Sequence, residues 1–313
     1  MTSPFEAPPI ARPRLSRATL LGIVGVPVCA VIWGTTWYAI TLQLGTVAPL
    51  ASIVWRFGLA SALLFLGCVI ARQRLRLTGA QHLAALGQGI FAFSISYSFT
   101  YASEGFVASA LVAVTFASLT FITLVLFRLL TGQRAAAASW GGAILGLIGV
   151  AVLSGGEVLR TGLDGRAAVG IGLALIATTA SAVGNFFAWK GQNHGSAAIP
   201  STAWAMAYGT GLLALYGLAT GVEFTIDPNF TYVGSLLYLS VFGSVIAFGL
   251  YFTIARMIGY AMASYVSALT PLVAVLVSVL FEGSRFGWPA LVALLLILSG
   301  QALLIRAPKV AAV

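Results

Sequence analysis

Long apolar runs separated by short polar punctuation dominate this chain. They cover residues 19–43, 48–71, 80–103, 106–129, 136–155, 168–190, 199–221, 231–255, 259–281 and 286–306. A helix of about 20 apolar residues crosses a hydrocarbon layer about 30 Å thick, so each run is long enough to span one. The runs are continuously apolar rather than alternating, which favours helices over the strands of a barrel. Some connections are almost absent, as at Ser103–Phe106 and Arg256–Gly259. The pattern predicts an all-α integral membrane protein of ten transmembrane helices.

Charge orients them. With the amino terminus inside, the inner regions hold Arg12, Arg14, Arg17, Arg72, Arg74, Arg76, Arg128, Arg134, Lys190, Arg256, Arg306 and Lys309. The outer loops hold only Arg160, Arg166 and Arg285, and Arg56 falls within a run. Basic residues concentrate in cytoplasmic loops, so both termini are expected in the cytoplasm. Six of the seven acids (Glu104, Glu157, Asp164, Glu223, Asp227, Glu282) lie in or beside outer loops.

Composition agrees with the pattern: 60% of the residues are hydrophobic and only 7% are charged. The net charge of +9 then suits anionic lipid headgroups at the cytoplasmic face rather than nucleic acid. Residues 1–18 read as a polar cytoplasmic tail. No cleavable signal is expected, because the first run is too long. Cys29 and Cys68 sit inside runs, as small buried apolar residues rather than disulfide partners.

The two halves resemble each other at an offset of about 150 residues. Pro49 and Gly58 match Pro200 and Gly209, Phe99–Ala102 matches Phe252–Ala255, Leu119-Thr120 matches Leu269-Thr270, and Gly149 matches Gly300. Each half carries five helices, an odd number, so the second enters the membrane upside down. The expected organisation is a tail (1–18), a first repeat (19–155), an extracytoplasmic linker (156–167), an inverted second repeat (168–306) and a cytoplasmic tail (307–313). Inverted repeats are the architecture of alternating-access transporters, with the site near the midplane between them.

Particular residues carry a family resemblance over 19–306. Trp33-Gly34 is followed by small polar residues, then come Pro49 and Arg56, Leu269-Thr270-Pro271 before Glu282-Gly283, and Gly300. Together they resemble the drug/metabolite transporter superfamily and its ten-helix EamA-type exporters, within which the chain is similar to bacterial exporters of aromatic and other amino acids. The resemblance implies a bacterial inner-membrane exporter of a small-molecule substrate. One departure stands out: the family often has proline in helix 4 as well as helix 9, but the position equivalent to Pro271 is Phe121. Helix 4 is therefore expected to be the straighter. The small multidrug exporters of the same superfamily use a glutamate in helix 1, for which nothing here substitutes. Acids are expected to be missing from the interior, which points to facilitation or exchange rather than proton coupling.

Arg56 is the one ionised side chain placed within a run. It reads either as a partner for a substrate carboxylate, which a guanidinium grips with two hydrogen bonds, or as a structural tie to a neighbouring helix. The remaining candidates for a substrate cavity are aromatic or hydroxylic at helical spacing: Trp33 and Trp37, then Ser94, Tyr97 and Tyr101, then Asn185 and Trp189, with Thr115, Tyr251 and Tyr265 adding polar tips. Such side chains offer flat apolar faces and single hydrogen-bonding tips to an aromatic or amphipathic guest. The plainer alternative for Trp and Tyr is an interfacial belt, and for Ser and Thr helix packing. Gly142 and Gly146 are likewise expected to serve close helix contact, with dimerisation the rarer use. Pro271 removes a backbone hydrogen bond and is a candidate hinge.

Nothing calls for a metal or cofactor, and no HExxH, GxSxG or buried carboxylate pair suggests an enzyme. A passive channel and an exchanger of nucleotide sugars or sugar phosphates remain as alternatives, the latter poorly supplied with cavity cations. The protein is expected to act as a monomer.

Overall fold

The computed structural model describes residues 24–161, 165–258, 260–285 and 287–306. Every regular element among them is helical. In chain order they are α1 (Val26–Thr41), α2 (Pro49–Ile70), α3 (Gly79–Glu104), α4 (Ser109–Thr131), α5 (Ala137–Thr161), α6 (Arg166–Asn193) and α7 (Ala198–Ala219). Then follow α8 (Phe230–Tyr238, Leu239–Ile246 and Ala247–Ile258 end to end), α9 (Tyr260–Phe281) and α10 (Trp288–Arg306). The ends lie within a few residues of the sequence-based spans, except that α5 runs on past residue 155 and α1 begins at Val26, the expected start at residue 19 lying outside the described residues.

Six stretches are long and apolar enough to cross a membrane: Pro49–Ile70, Gly79–Glu104, Ser109–Thr131, Ala137–Gly156, Arg166–Asn193 and Phe230–Ala255. Val26–Thr41, Leu269–Phe281 and Trp288–Leu303 are shorter apolar helices. Their outward faces are aliphatic, with Leu66, Val69, Leu215, Leu218, Leu276 and Leu291 all exposed. In water such a surface would be costly, whereas lipid tails solvate it.

Local chemistry sets the helix limits. Pro49 opens α2, where its missing N–H costs nothing. Thr78 and Gln81 form a reciprocal capping box at the start of α3. α4 stops at Gly132, whose φ of +71° is left-handed and suits glycine alone.

Packing relies on small residues. α5 lies along α10, and α2 along α7. A Cβ on Gly300 would stand 2.3 Å from the Gly142 carbonyl oxygen and 3.2 Å from the Gly146 nitrogen. The GxxxG of α5 thus seats α10 within the same chain. A Cβ on Gly34 would fall 2.4 Å from that of Val273, so α1 and α9 are equally close.

Two helices leave α geometry at related places. Gly89–Ile95 in α3 and Leu239–Ile246 in α8 are π-helical. In each, a serine hydroxyl donates to the carbonyl five residues back: Ser94 to Gly89 at 3.1 Å, and Ser244 to Leu239 at 2.9 Å. α4, expected to be the straighter of α4 and α9, is not one continuous α-helix. Phe116–Ser118 breaks α4 with a 3-10 turn, tightened by Thr115 and Ser118 hydroxyls donating to the Leu111 and Thr115 carbonyls, whereas α9 runs through Pro271 without interruption. Serine and threonine bonds to nearby carbonyls distort a helix as a proline can.

Candidate functional site

A cavity of about 110 Å³ opens between α1, α3, α4, α6, α8 and α9. Trp33, Thr36 and Trp37 line it from α1, and Ser96, Tyr97 and Thr100 from α3. Ser181 and Asn185 face it from α6, Phe248, Tyr251 and Phe252 from α8, Phe116 from α4 and Thr270 from α9.

Five of the sequence-predicted residues are on this wall: Trp33, Trp37, Tyr97, Asn185 and Tyr251. Trp33 is fixed by its indole N–H, which donates to the Gly243 carbonyl at 3.1 Å, and by the Phe248 and Tyr251 rings at 5.0 and 5.1 Å. Trp37 packs on Phe116 with ring centres 4.8 Å apart, yet its buried Nε1 has no hydrogen-bond partner. Hydroxyls that sequence reading passed over complete the wall. Ser96 and Ser181 bridge α3 to α6 at 2.8 Å, and the Thr36 and Thr270 hydroxyls donate to carbonyls of their own helices. Spacing could have flagged Thr100, three residues from Tyr97, and Ser181, four from Asn185.

Other predicted residues lie elsewhere. Ser94 is turned away by the π segment, and its hydroxyl also reaches the Gly209 carbonyl of α7 at 3.0 Å. Thr115 is buried against its own helix. Trp189 sits a turn beyond Asn185, stacked on Phe186 with Phe127 at its edge. The side chain of Tyr265 lies outside the described residues. His82 bonds the Tyr208 hydroxyl at 2.8 Å and meets the Trp204 ring edge-on.

Behind Tyr97 lies a second polar group. Arg56 is 1% exposed, its Nε donates to the Ser244 hydroxyl at 3.1 Å, and its Nη1 has no partner. The guanidinium carbon stands 4.7 Å from the Tyr97 ring centre and 5.0 Å from that of Phe57. Stacking on aromatic faces is favourable for a weakly hydrated planar cation. Arg56 is thus a tie between α2 and α8, one ring removed from the cavity. Tyr101, buried next to it on α3, donates to Gln43 Oε1 at 2.7 Å and does not reach the wall.

Glu104, expected in or beside an outer loop, is enclosed by protein. It ends α3 at 7% exposure, and neither carboxylate oxygen has a hydrogen-bond partner. A position beside a loop in sequence is here an enclosed one, with α4 beginning soon after at Ser109. Among the described residues no cluster of three or more His, Cys, Asp or Glu could hold a metal ion.

Comparison with known proteins agrees with this architecture. A solved crystal structure matches with a TM-score of 0.69 at 21% identity, covering 93% of this chain and 96% of the other, a likeness of fold. The chain is 27% identical to the Escherichia coli "Uncharacterized inner membrane transporter YedA", over 90% of this chain and 92% of that one. It is 24% identical to the E. coli "Probable amino-acid metabolite efflux pump", over 86% and 90%. The profile of the EamA-like transporter family matches residues 20–155 and again residues 168–306. The relatives are transporters rather than enzymes, and the first is named for the inner membrane. An apolar helical bundle around a central cavity, matched twice over by one family, makes this chain a multi-pass inner-membrane member of the EamA-like transporter family.

Proposed function

We propose that this protein exports small metabolites, amino acids with aromatic or apolar side chains foremost, by alternating access between two inverted five-helix repeats. The observation that carries the reading is the cavity wall: Trp33, Trp37, Tyr97 and Tyr251 supply aromatic faces, Asn185 an amide, and no lysine or arginine lines it. Such a wall suits a ring with one polar head and is poor for phosphates. One relative bears the name of an amino-acid metabolite efflux pump, in keeping with this class.

Support for the inverted repeats comes from the π segments at Gly89–Ile95 and Leu239–Ile246, about 150 residues apart, each with a serine bonded five residues back. The family profile matching once in each half points the same way. In this arrangement ten helices span the membrane, 19–155 and 168–306 form the repeats, and both termini lie in the cytoplasm beside anionic headgroups. The cavity of about 110 Å³ is smaller than the roughly 150 Å³ that takes a benzene ring. A whole aromatic amino acid therefore requires the walls to part, as alternating access entails. Pro271 and the 3-10 turn of α4 are the candidate flexing points. The protein works as a monomer, its cavity being complete within one chain.

Counterflow of labelled phenylalanine or tryptophan into liposomes holding the purified protein tests this. Saturable exchange is expected, reduced about tenfold or more in Tyr97→Ala and Asn185→Ala proteins that insert normally. Wild-type flux in both variants would remove the cavity from the transport path.

A further inference from the structure

We infer that Glu104 takes up and releases a proton during the transport cycle, so that substrate movement responds to a pH gradient. The inference rests on the family's transport activity and not on the substrate class proposed above.

Glu104 is enclosed at the end of α3, and both its oxygens lack a hydrogen-bond partner. Buried polar atoms in proteins are nearly always paired, and an enclosed carboxylate with no partner is among the costliest exceptions. A structural acid would have recruited donors. Arg56, whose charge acts on Glu104, also has an Nη1 without a partner. The charged groups acting on Glu104 are Arg56 from α2 and Glu282 from the end of α9, with Tyr101 on its own helix. From α6, Arg166 lies over the Phe106 ring, two residues along the chain, at 5.6 Å.

This surrounding suits a proton better than a metal cation. The carboxylate and a proton give the neutral acid, no other bond changes, and the charge disappears where it is hardest to solvate. A sodium or calcium ion would need a cage of several oxygens, and the neighbouring guanidinium repels it. Intramembrane carboxyls in transporters are by this logic candidates for proton relays.

The change of charge has a route to the cavity. Tyr97, Tyr101 and Glu104 are spaced by four and three residues, hence share one face of α3. Arg56 feels Glu104, stacks on Tyr97, and Tyr97 lines the wall. Protonation of Glu104 leaves the Arg56 charge unopposed beside that ring, so substrate and proton occupancy affect each other.

The test uses proteoliposomes with an imposed pH gradient and no membrane potential. One coupled proton accumulates labelled phenylalanine about tenfold per pH unit across the membrane. Wild type is expected to do so, while Glu104→Gln keeps counterflow within about twofold and ignores the gradient. The side that fills gives the sense of coupling. A wild type that exchanges phenylalanine in counterflow yet is blind to the gradient, or a Glu104→Gln protein that still follows it, overturns the inference. Replacing the proton gradient by a sodium gradient and obtaining the same accumulation overturns it too. A second readout needs no substrate: tryptophan fluorescence of the purified protein is titrated between about pH 5 and pH 9. Trp37 stands in the adjoining cavity, and a transition present in wild type and absent in Glu104→Gln is expected. A flat wild-type profile overturns the inference, whichever solute the protein carries.

Discussion

The π segments of α3 and α8 are the same device with different partners. Both hold a serine that donates to the carbonyl five residues earlier, and both press against the helix of the opposite half that their pseudo-equivalents share, α7 for one and α2 for the other. In α3 the contact is backbone on backbone. A Cβ on Gly209 would come within 2.7 Å of the Gly89 carbonyl oxygen, and one on Gly89 within 2.5 Å of the Ala205 oxygen. In α8 the corresponding space is filled by a side chain, since Ser244 accepts from Arg56. One junction is closed by removing side chains, the other by inserting the largest cation available. The first is a close-packed pivot. The second carries a charge to the edge of the cavity, and that charge is the one Glu104 faces.

Perturbing the two junctions separately probes the difference, and the largest effect is expected at the glycine. Gly209→Val forces a branched side chain against the α3 backbone and should cost about 3 kcal/mol, the upper range of overpacking. Thermal unfolding in detergent measures this, and an unshifted midpoint would mean that α3 and α7 are not in such contact. Arg56→Ala should cost about 2 kcal/mol, by leaving Ser244 without its donor and Tyr97 without its support. Arg56→Lys is expected not to restore it, because an ammonium cannot reproduce the planar stack; full rescue by lysine would reduce Arg56 to a point charge.

The paired serine variants sharpen the comparison further. Ser94→Ala removes one hydroxyl proton shared by the Gly89 and Gly209 carbonyls and should cost about 1 kcal/mol with flux unchanged. Ser244→Ala also strands the Arg56 Nε and should cost about twice as much, with flux reduced. Equal effects on stability and flux would break the distinction. The smallest effect is expected on the cavity wall. Trp37→Phe removes an N–H that has no partner, so the unfolding midpoint should hold while the half-saturating substrate concentration rises about fivefold, the loss of one hydrogen bond of about 1 kcal/mol. Unaltered saturation would place that indole outside substrate reach.

Helical periodicity was a good guide where helices are regular. Trp33 and Trp37, four apart on α1, both face the cavity, and so do Tyr97 and Asn185. It failed where the helix itself changes. The wider turn at Gly89–Ile95 rotates Ser94 towards α7, so the stripe read as Ser94, Tyr97 and Tyr101 is divided among three surroundings. Trp189 keeps its spacing from Asn185 but outruns the length of the cavity and meets Phe186 and Phe127 instead. Proline did not mark where the helix type changes, since α4 without one turns 3-10 at Phe116–Ser118 and α9 is α-helical through Pro271.

Hydropathy, length and the placement of basic residues are sums over single positions, and a bilayer reads them one segment at a time. They sufficed for an all-helical membrane protein, the approximate helix limits and a family whose motifs are local. Enclosure and pairing are relations between residues far apart in the chain. Only the packed bundle could bring Arg56 to Ser244, close α5 on α10 through Gly142 and Gly300, and enclose Glu104, a charge that by position alone belongs beside a loop.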